Sequence, residues 1–275
     1  MFDQVERRRT QPASLLIALS ILLTTSCADT SQEPSRAGAP SVTPTVSSSQ
    51  EGGIGEQKVD VGGRSLFVQC RGTEGPVVVL EAGLTGDHAT WDSVIDGLPP
   101  EVRVCAYDRA NIGQSDPAET PRRASEVVAD LRAVLTAIEE EPPYVLVGFS
   151  IGGLFTQLYA AEHPEEVQAL ILVESVHPNE DREFEKHLTR EQRTTDRTEI
   201  EANPEGIDVF GSFAEAREAG EIPEIPLVVV TATLSSGWPP GWDAALFDRL
   251  KAKLQQQLTN LSPEGRQVLA SGSGH

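Results

Sequence analysis

The sequence has 275 residues, 39% of them apolar, enough for one domain with a sizeable core plus a leader or tail. Its formal net charge of −20 repels phosphate backbones and excludes nucleic acid as a favoured partner; solubility is the plainest use of that acidity. The three cysteines, Cys27, Cys70 and Cys105, sit at no metal-ligand spacing and no HExxH or CxxC occurs, so no zinc site is expected; no cofactor is expected either.

Arg7, Arg8 and Arg9 form a basic opening, Leu15 to Leu23 a short apolar run, and small residues lead to Ser26 and Cys27. This is the layout of an export signal over residues 1–27, and the apolar run is short for a permanent membrane span. Thr24-Thr25-Ser26-Cys27 resembles the lipobox of bacterial lipoproteins, with Thr24 where leucine is usual. The resemblance implies that Cys27 is lipidated and holds an exported chain at the cell membrane; the alternative is an ordinary cleaved signal and a secreted protein. Residues 28–56 are rich in Ser, Thr, Pro and Gly, with almost nothing to bury, and read as a flexible tether. Export places the rest in an oxidising compartment. Cys70 and Cys105, each near the end of a predicted strand, are then candidates for a disulfide, the alternative being two buried thiols.

From Gln57 onward, strand and helix patterns alternate. Gln57–Val61 and Ser65–Cys70 read as a hairpin around Gly62–Gly63. Val77–Leu80 is a continuous apolar run, expected of a strand buried on both faces. Trp91–Leu98 has helical spacing, Val102–Tyr107 is the next strand, and Ser125–Glu139 is an amphipathic helix stopped by Pro142–Pro143. Tyr144–Val147 is a strand, Leu154–Glu162 a helix, and Leu170–Val173 and Leu227–Thr231 are strands. Asp243–Leu258 is a helix and Gln267–Ala270 a last short strand. Such repetition predicts an α/β domain over residues 57–275, with a mostly parallel sheet and helices on both faces. A charged stretch, about 179–224, interrupts the rhythm and reads as a short, partly helical lid inserted between two strands, or else as a loop.

Gly148-Phe149-Ser150-Ile151-Gly152-Gly153 falls between the strand at Tyr144–Val147 and the helix after it. A GxSxG at a sharp strand-to-helix turn lifts a serine hydroxyl clear of the sheet and sets backbone N–H groups beside it. With two further blocks, Leu80-Glu81-Ala82-Gly83-Leu84 and Tyr107-Asp108-Arg109-Ala110-Asn111-Ile112-Gly113-Gln114-Ser115-Asp116, the elbow resembles the α/β-hydrolase superfamily, esterase/lipase-like branch, from about Gln57 to His275. The resemblance implies an α/β-hydrolase fold with Ser150 as nucleophile and the N–H groups of Leu84 and Ile151 as the oxyanion hole. Ala82 stands where that family often has histidine, and Asn111 where the DRxGxGxSD loop has glycine; Asp108 and Arg109 are expected to hold loops and not to react.

Family order places an acid and then a histidine after the serine. Glu174 directly follows the strand at Leu170–Val173, and Asp243 is the alternative acid. Among five histidines, His163 looks structural, His187 lies in the lid, His177 could line the pocket, and His88 follows the oxyanion loop. His275 matches the family position of the base, just after the last strand. It is also the last residue, whereas family members usually continue with a helix; that helix is expected to be missing and activity to be reduced. The expectation is an exported, monomeric serine hydrolase acting on a small or medium carboxylic ester through Ser150, His275 and Glu174. Thioester and peptide bonds stay open. The rival is a catalytically weak, membrane-tethered binding protein that keeps the hydrolase shape. Trp238 and Trp242 could line an apolar entrance or simply pack.

Overall fold

The structure is a computed structural model, and it describes residues 55–235 and 237–275. The expected leader, its Cys27 and almost all of the expected tether lie outside the described residues.

Eight strands form one sheet: β1 (Gly55–Asp60), β2 (Ser65–Arg71), β3 (Glu74–Glu81), β4 (Val102–Tyr107), β5 (Tyr144–Phe149), β6 (Val167–Val173), β7 (Leu227–Ala232) and β8 (Gly265–Ala270). Their spatial order is β1-β2-β4-β3-β5-β6-β7-β8, and every pair from β4–β3 onward is parallel; only β1–β2 and β2–β4 are antiparallel. After β3 the chain runs first to β4 on one side and then to β5 on the other. That reversal opens a crevice at the carboxyl ends of β3 and β5, where open α/β sheets bind ligands.

The helices are α1 (Asp92–Gly97), α2 (Ala124–Ala137), α3 (Ile151–Glu162), α4 (Glu180–Glu185), α5 (Arg190–Glu201), α6 (Val209–Glu218) and α7 (Ala244–Leu258). Alternate strand residues feed two cores, as the two-residue period of a strand requires. Val79, Cys105 and Leu146 pack in the larger core with Leu131 and Val134 of α2 and Leu154 and Leu158 of α3. Leu80, Ala106 and Val147 pack on the other face against Trp91 and Ile95. Cys70 and Cys105 are register partners between β2 and β4, and a disulfide joins them.

Two elements differ from their sequence outline. Helix α3 begins at Ile151, three residues before the apolar pattern does, because Gly152 and Gly153 carry no side chain to mark a helical face. The charged stretch between β6 and β7 holds three helices, α4 to α6. Thr189 and Gln192 cap the start of α5 reciprocally, the S/T-x-x-E/Q arrangement that satisfies two otherwise unpaired N–H groups. No helix among the described residues is long and apolar enough to cross a membrane.

Candidate active site

Ser150 stands alone between the end of β5 and the start of α3, at φ 54° and ψ −123°. A non-glycine residue there is strained, and surrounding structure must hold it. Here the Ser150 N–H donates to the Val173 carbonyl, and the Ser150 carbonyl accepts from Gly153 and Val176. The flanking glycines are forced by crowding. A Cβ on Gly148 would lie 2.5 Å from the Gly153 Cα, and one on Gly152 would lie 2.3 Å from the Ala82 carbonyl oxygen. The second contact presses the elbow against the end of the β3 strand.

Leu84 follows that strand end and shares a cavity with Ser150 and Ile151. Ile151 is the first residue of α3, so its N–H has no intrahelical acceptor. Among the described residues neither the Leu84 nor the Ile151 N–H is bonded. Two unpaired donors beside a serine can receive the negative charge that grows on an attacked carbonyl oxygen.

The loop carrying Leu84 is fixed from beneath. Arg109, 2% exposed, donates to the carbonyls of Ala82 at 2.8 Å and Gly83 at 2.7 Å. It also pairs with Glu81 and with Glu205, both fully buried. Burial works against the Arg109 charge, but the two carboxylates outweigh it and hold the guanidinium charged. Glu81 is pushed upward by its own burial, against the pull of Arg109 and the Tyr107 hydroxyl. Asp108 accepts from the His88 N–H at 2.8 Å and the Gln114 N–H at 2.7 Å, and its Oδ1 lies 2.7 Å from His88 Nδ1. Both residues of the Asp108–Arg109 pair therefore hold loops.

Glu174 directly follows β6 with φ 45° and is 6% exposed. Its Oε1 accepts from the Ala232 N–H at 2.6 Å, and its Oε2 lies 3.4 Å from His275 Nδ1. The His275 ring packs on Phe149, the residue before the serine, with centroids 5.1 Å apart. No hydrogen bond joins Ser150 to His275 among the described residues. The structure thus brings Glu174 and His275 together next to the elbow. Asp243 is placed elsewhere, as the N-cap of α7, where its side chain accepts from Leu246. Of the other histidines, His177 accepts at Nδ1 from Asn179, and His163 packs edge-on against Tyr159.

Above Ser150 a cavity of about 280 Å³ is walled by Phe184, Ile200, Phe210, Phe213, Trp238 and Trp242. The tryptophans stack at 6.0 Å, and Trp238 Nε1 donates to Asp248, which fixes the ring. The charged groups at its edge are all acidic: Glu180, Asp181, Glu185 and Asp196. Arg217 pairs with Asp181 and Arg197 with Glu185. Burial pushes Glu180 up to about 7 and also raises Asp196.

A family model described as the alpha/beta hydrolase fold matches residues 76–209, the stretch from β3 through the elbow to the start of α6. The solved structure of a thermophilic esterase from Thermogutta terrifontis superposes with a TM-score of 0.54 at 18% identity, over 80% of this chain and 91% of that one. This chain has the α/β-hydrolase fold. Two curated relatives match parts of the chain. The uncharacterized protein YqjL of Bacillus subtilis is 30% identical over 120 residues, covering 43% of this chain and 47% of YqjL, so the chain spans about half the length of such a relative. The 2-(acetamidomethylene)succinate hydrolase of Mesorhizobium japonicum is 25% identical over 186 residues, 67% of this chain and 62% of that enzyme.

One residue of this hydrolase-fold site has no motif to announce it. Lys251, on α7, places its ammonium 2.7 Å from Glu174 Oε2 and 3.1 Å from His275 Nδ1. Burial works against the Glu174 charge, but His275, Lys251 and the Ala232 N–H outweigh it and hold the carboxyl down at about 2. A carboxyl depressed from 4.5 on folding adds stability that is complete above pH 4.5 and is lost as pH falls towards 2. Wild type is therefore expected to lose about 3 kcal/mol more than Glu174→Gln between pH 6 and pH 2. Denaturant titrations of both proteins across that range check it, and parallel curves would refute it.

Proposed function

We propose that this chain is a serine hydrolase that cleaves a carboxylic ester with an apolar acyl group. The observation that carries the reading is the strained Ser150, set beside two unpaired backbone N–H groups at the floor of an apolar cavity. In this mechanism His275 takes the hydroxyl proton as Ser150 Oγ attacks the carbonyl carbon. Glu174 orients the imidazole and stabilises its cation. The Leu84 and Ile151 N–H groups hold the oxyanion, and the imidazolium returns the proton to the departing alcohol. Water then repeats the sequence on the acyl-enzyme. The cavity suits a ring or a medium-length acyl chain. No Lys or Arg lines it among the described residues, so the dicarboxylate substrate named for the Mesorhizobium japonicum relative has no charge partner here.

A fluorophosphonate probe tests the reading: labelling of wild type and none of Ser150→Ala supports it. An unlabelled wild type would favour a binding protein that keeps the hydrolase shape. The position of Lys251 between Glu174 and His275 is the observation that favours this second reading.

Export and lipidation of Cys27 belong to the same proposal, and the Cys70–Cys105 disulfide supports them, because paired thiols persist in oxidising compartments. Labelling of bacterial cells with a palmitate analogue is expected to mark wild type and to leave Cys27→Ala unmarked; equal marking would remove the anchor.

A further inference from the structure

The loop between α5 and α6 sends one side chain into the body of the protein. Glu205 is fully buried. Its Oε2 accepts from the Thr85 N–H at 3.0 Å and from Arg109 Nη2 at 3.0 Å, and its Oε1 accepts from Arg109 Nε. Thr85 is the residue after Leu84 and has φ 63°, so its peptide needs an outside partner to stay in place. The same Arg109 binds the Ala82 and Gly83 carbonyls on the other side of Leu84. The Glu205 backbone is fixed as well: its carbonyl accepts from Asn111 Nδ2 at 2.9 Å, and the next carbonyl, that of Gly206, accepts from the Arg122 N–H at 2.8 Å.

We infer that Glu205 is a positioning residue for the oxyanion hole: from the lid, it clamps the Leu84 N–H from both flanks, through Thr85 on one side and Arg109 on the other. The inference rests on the serine-hydrolase reading. The clamp acts on a donor that matters most when the carbonyl oxygen carries full negative charge, so its loss weakens the transition state more than the bound ester. It also makes the lid part of the catalytic assembly, since a lid that lifts its loop takes the clamp with it.

Glu205→Gln keeps the shape but not the charge that serves both partners. It is expected to lower kcat for a p-nitrophenyl ester by about 10- to 100-fold while KM changes less than threefold. Affinity for a trifluoromethyl ketone, which binds as an oxyanion, should fall in proportion to kcat, whereas affinity for the free alcohol product should not change. Arg123→Ala is the control. It breaks another lid-to-body ion pair, Arg123–Asp208 at 3.0 Å, neither member of which bonds Leu84, Thr85 or Arg109, and should leave kcat as it is. If Glu205→Gln does not fold, Glu205→Asp keeps the charge but cannot reach Thr85 and Arg109 together, and carries the same expectation. Unchanged kcat in the Glu205 variant, or an equal loss in Arg123→Ala, overturns the inference and leaves the hydrolase reading standing. A wild type inert to both ester and fluorophosphonate removes the hydrolase reading and the inference with it.

Discussion

Ser150→Ala is expected to lower kcat for an activated ester by about a million-fold, the loss seen when a serine nucleophile is deleted from a triad that works as a unit. The methyl group of alanine fits wherever the serine Cβ does, so the fold should survive. The backbone N–H groups of Leu84 and Ile151 remain, and so does the apolar cavity. The variant should therefore bind ester with nearly unchanged affinity and retain a small rate above water. Burst kinetics provide the second readout: wild type is expected to release one equivalent of alcohol quickly before hydrolysis of the acyl-enzyme, and the variant to show no burst. A loss below tenfold would mean that some other group attacks the carbonyl.

The second large effect concerns the acid and carries an opposite partner. Glu174→Gln is expected to lower kcat by about 10⁴-fold. An amide cannot stabilise the imidazolium, and its NH₂ can donate to Nδ1, which forces the ring proton onto the nitrogen that must accept from serine. Lys251 exerts the same influence in wild type. An ammonium only donates, and at 3.1 Å from His275 Nδ1 it favours the tautomer with Nδ1 bare. Glu174, 3.4 Å from Nδ1, favours the productive one. Lys251→Met should therefore raise kcat by roughly tenfold, the equivalent of one charge-assisted hydrogen bond removed from the unproductive state. Steady-state rates on the two single variants decide the matter. A fall in the methionine variant would make Lys251 a helper of the triad, and a loss below tenfold in the glutamine variant would remove Glu174 from it.

What could be read in the sequence was local. The strand Tyr144–Val147, the glycines around Ser150 and the succeeding helix lie within about twenty residues, so the turn itself is visible along the chain. Glu174 was legible for the same reason, as the first residue past an apolar strand. Lys251 and Glu205 were not. Lys251 reads as one cation on an amphipathic helix, and only the packing of α7 against β7 brings it to Glu174, 77 positions earlier. Glu205 reads as one acid in a charged insertion; its partner Arg109 is 96 residues away. Burial decides the role of each, and no pattern of charge along a chain records burial.

The contact of Gly152 with the Ala82 carbonyl has an engineering consequence. Because no side-chain atom fits between the two segments, the Ser150 hydroxyl and the Leu84 and Ile151 N–H groups, which the proposed mechanism would use together, cannot be adjusted independently. Redesign of what the cavity accepts should leave that junction alone and vary Ile200, Phe210 and Trp242, which line the space beside Ser150.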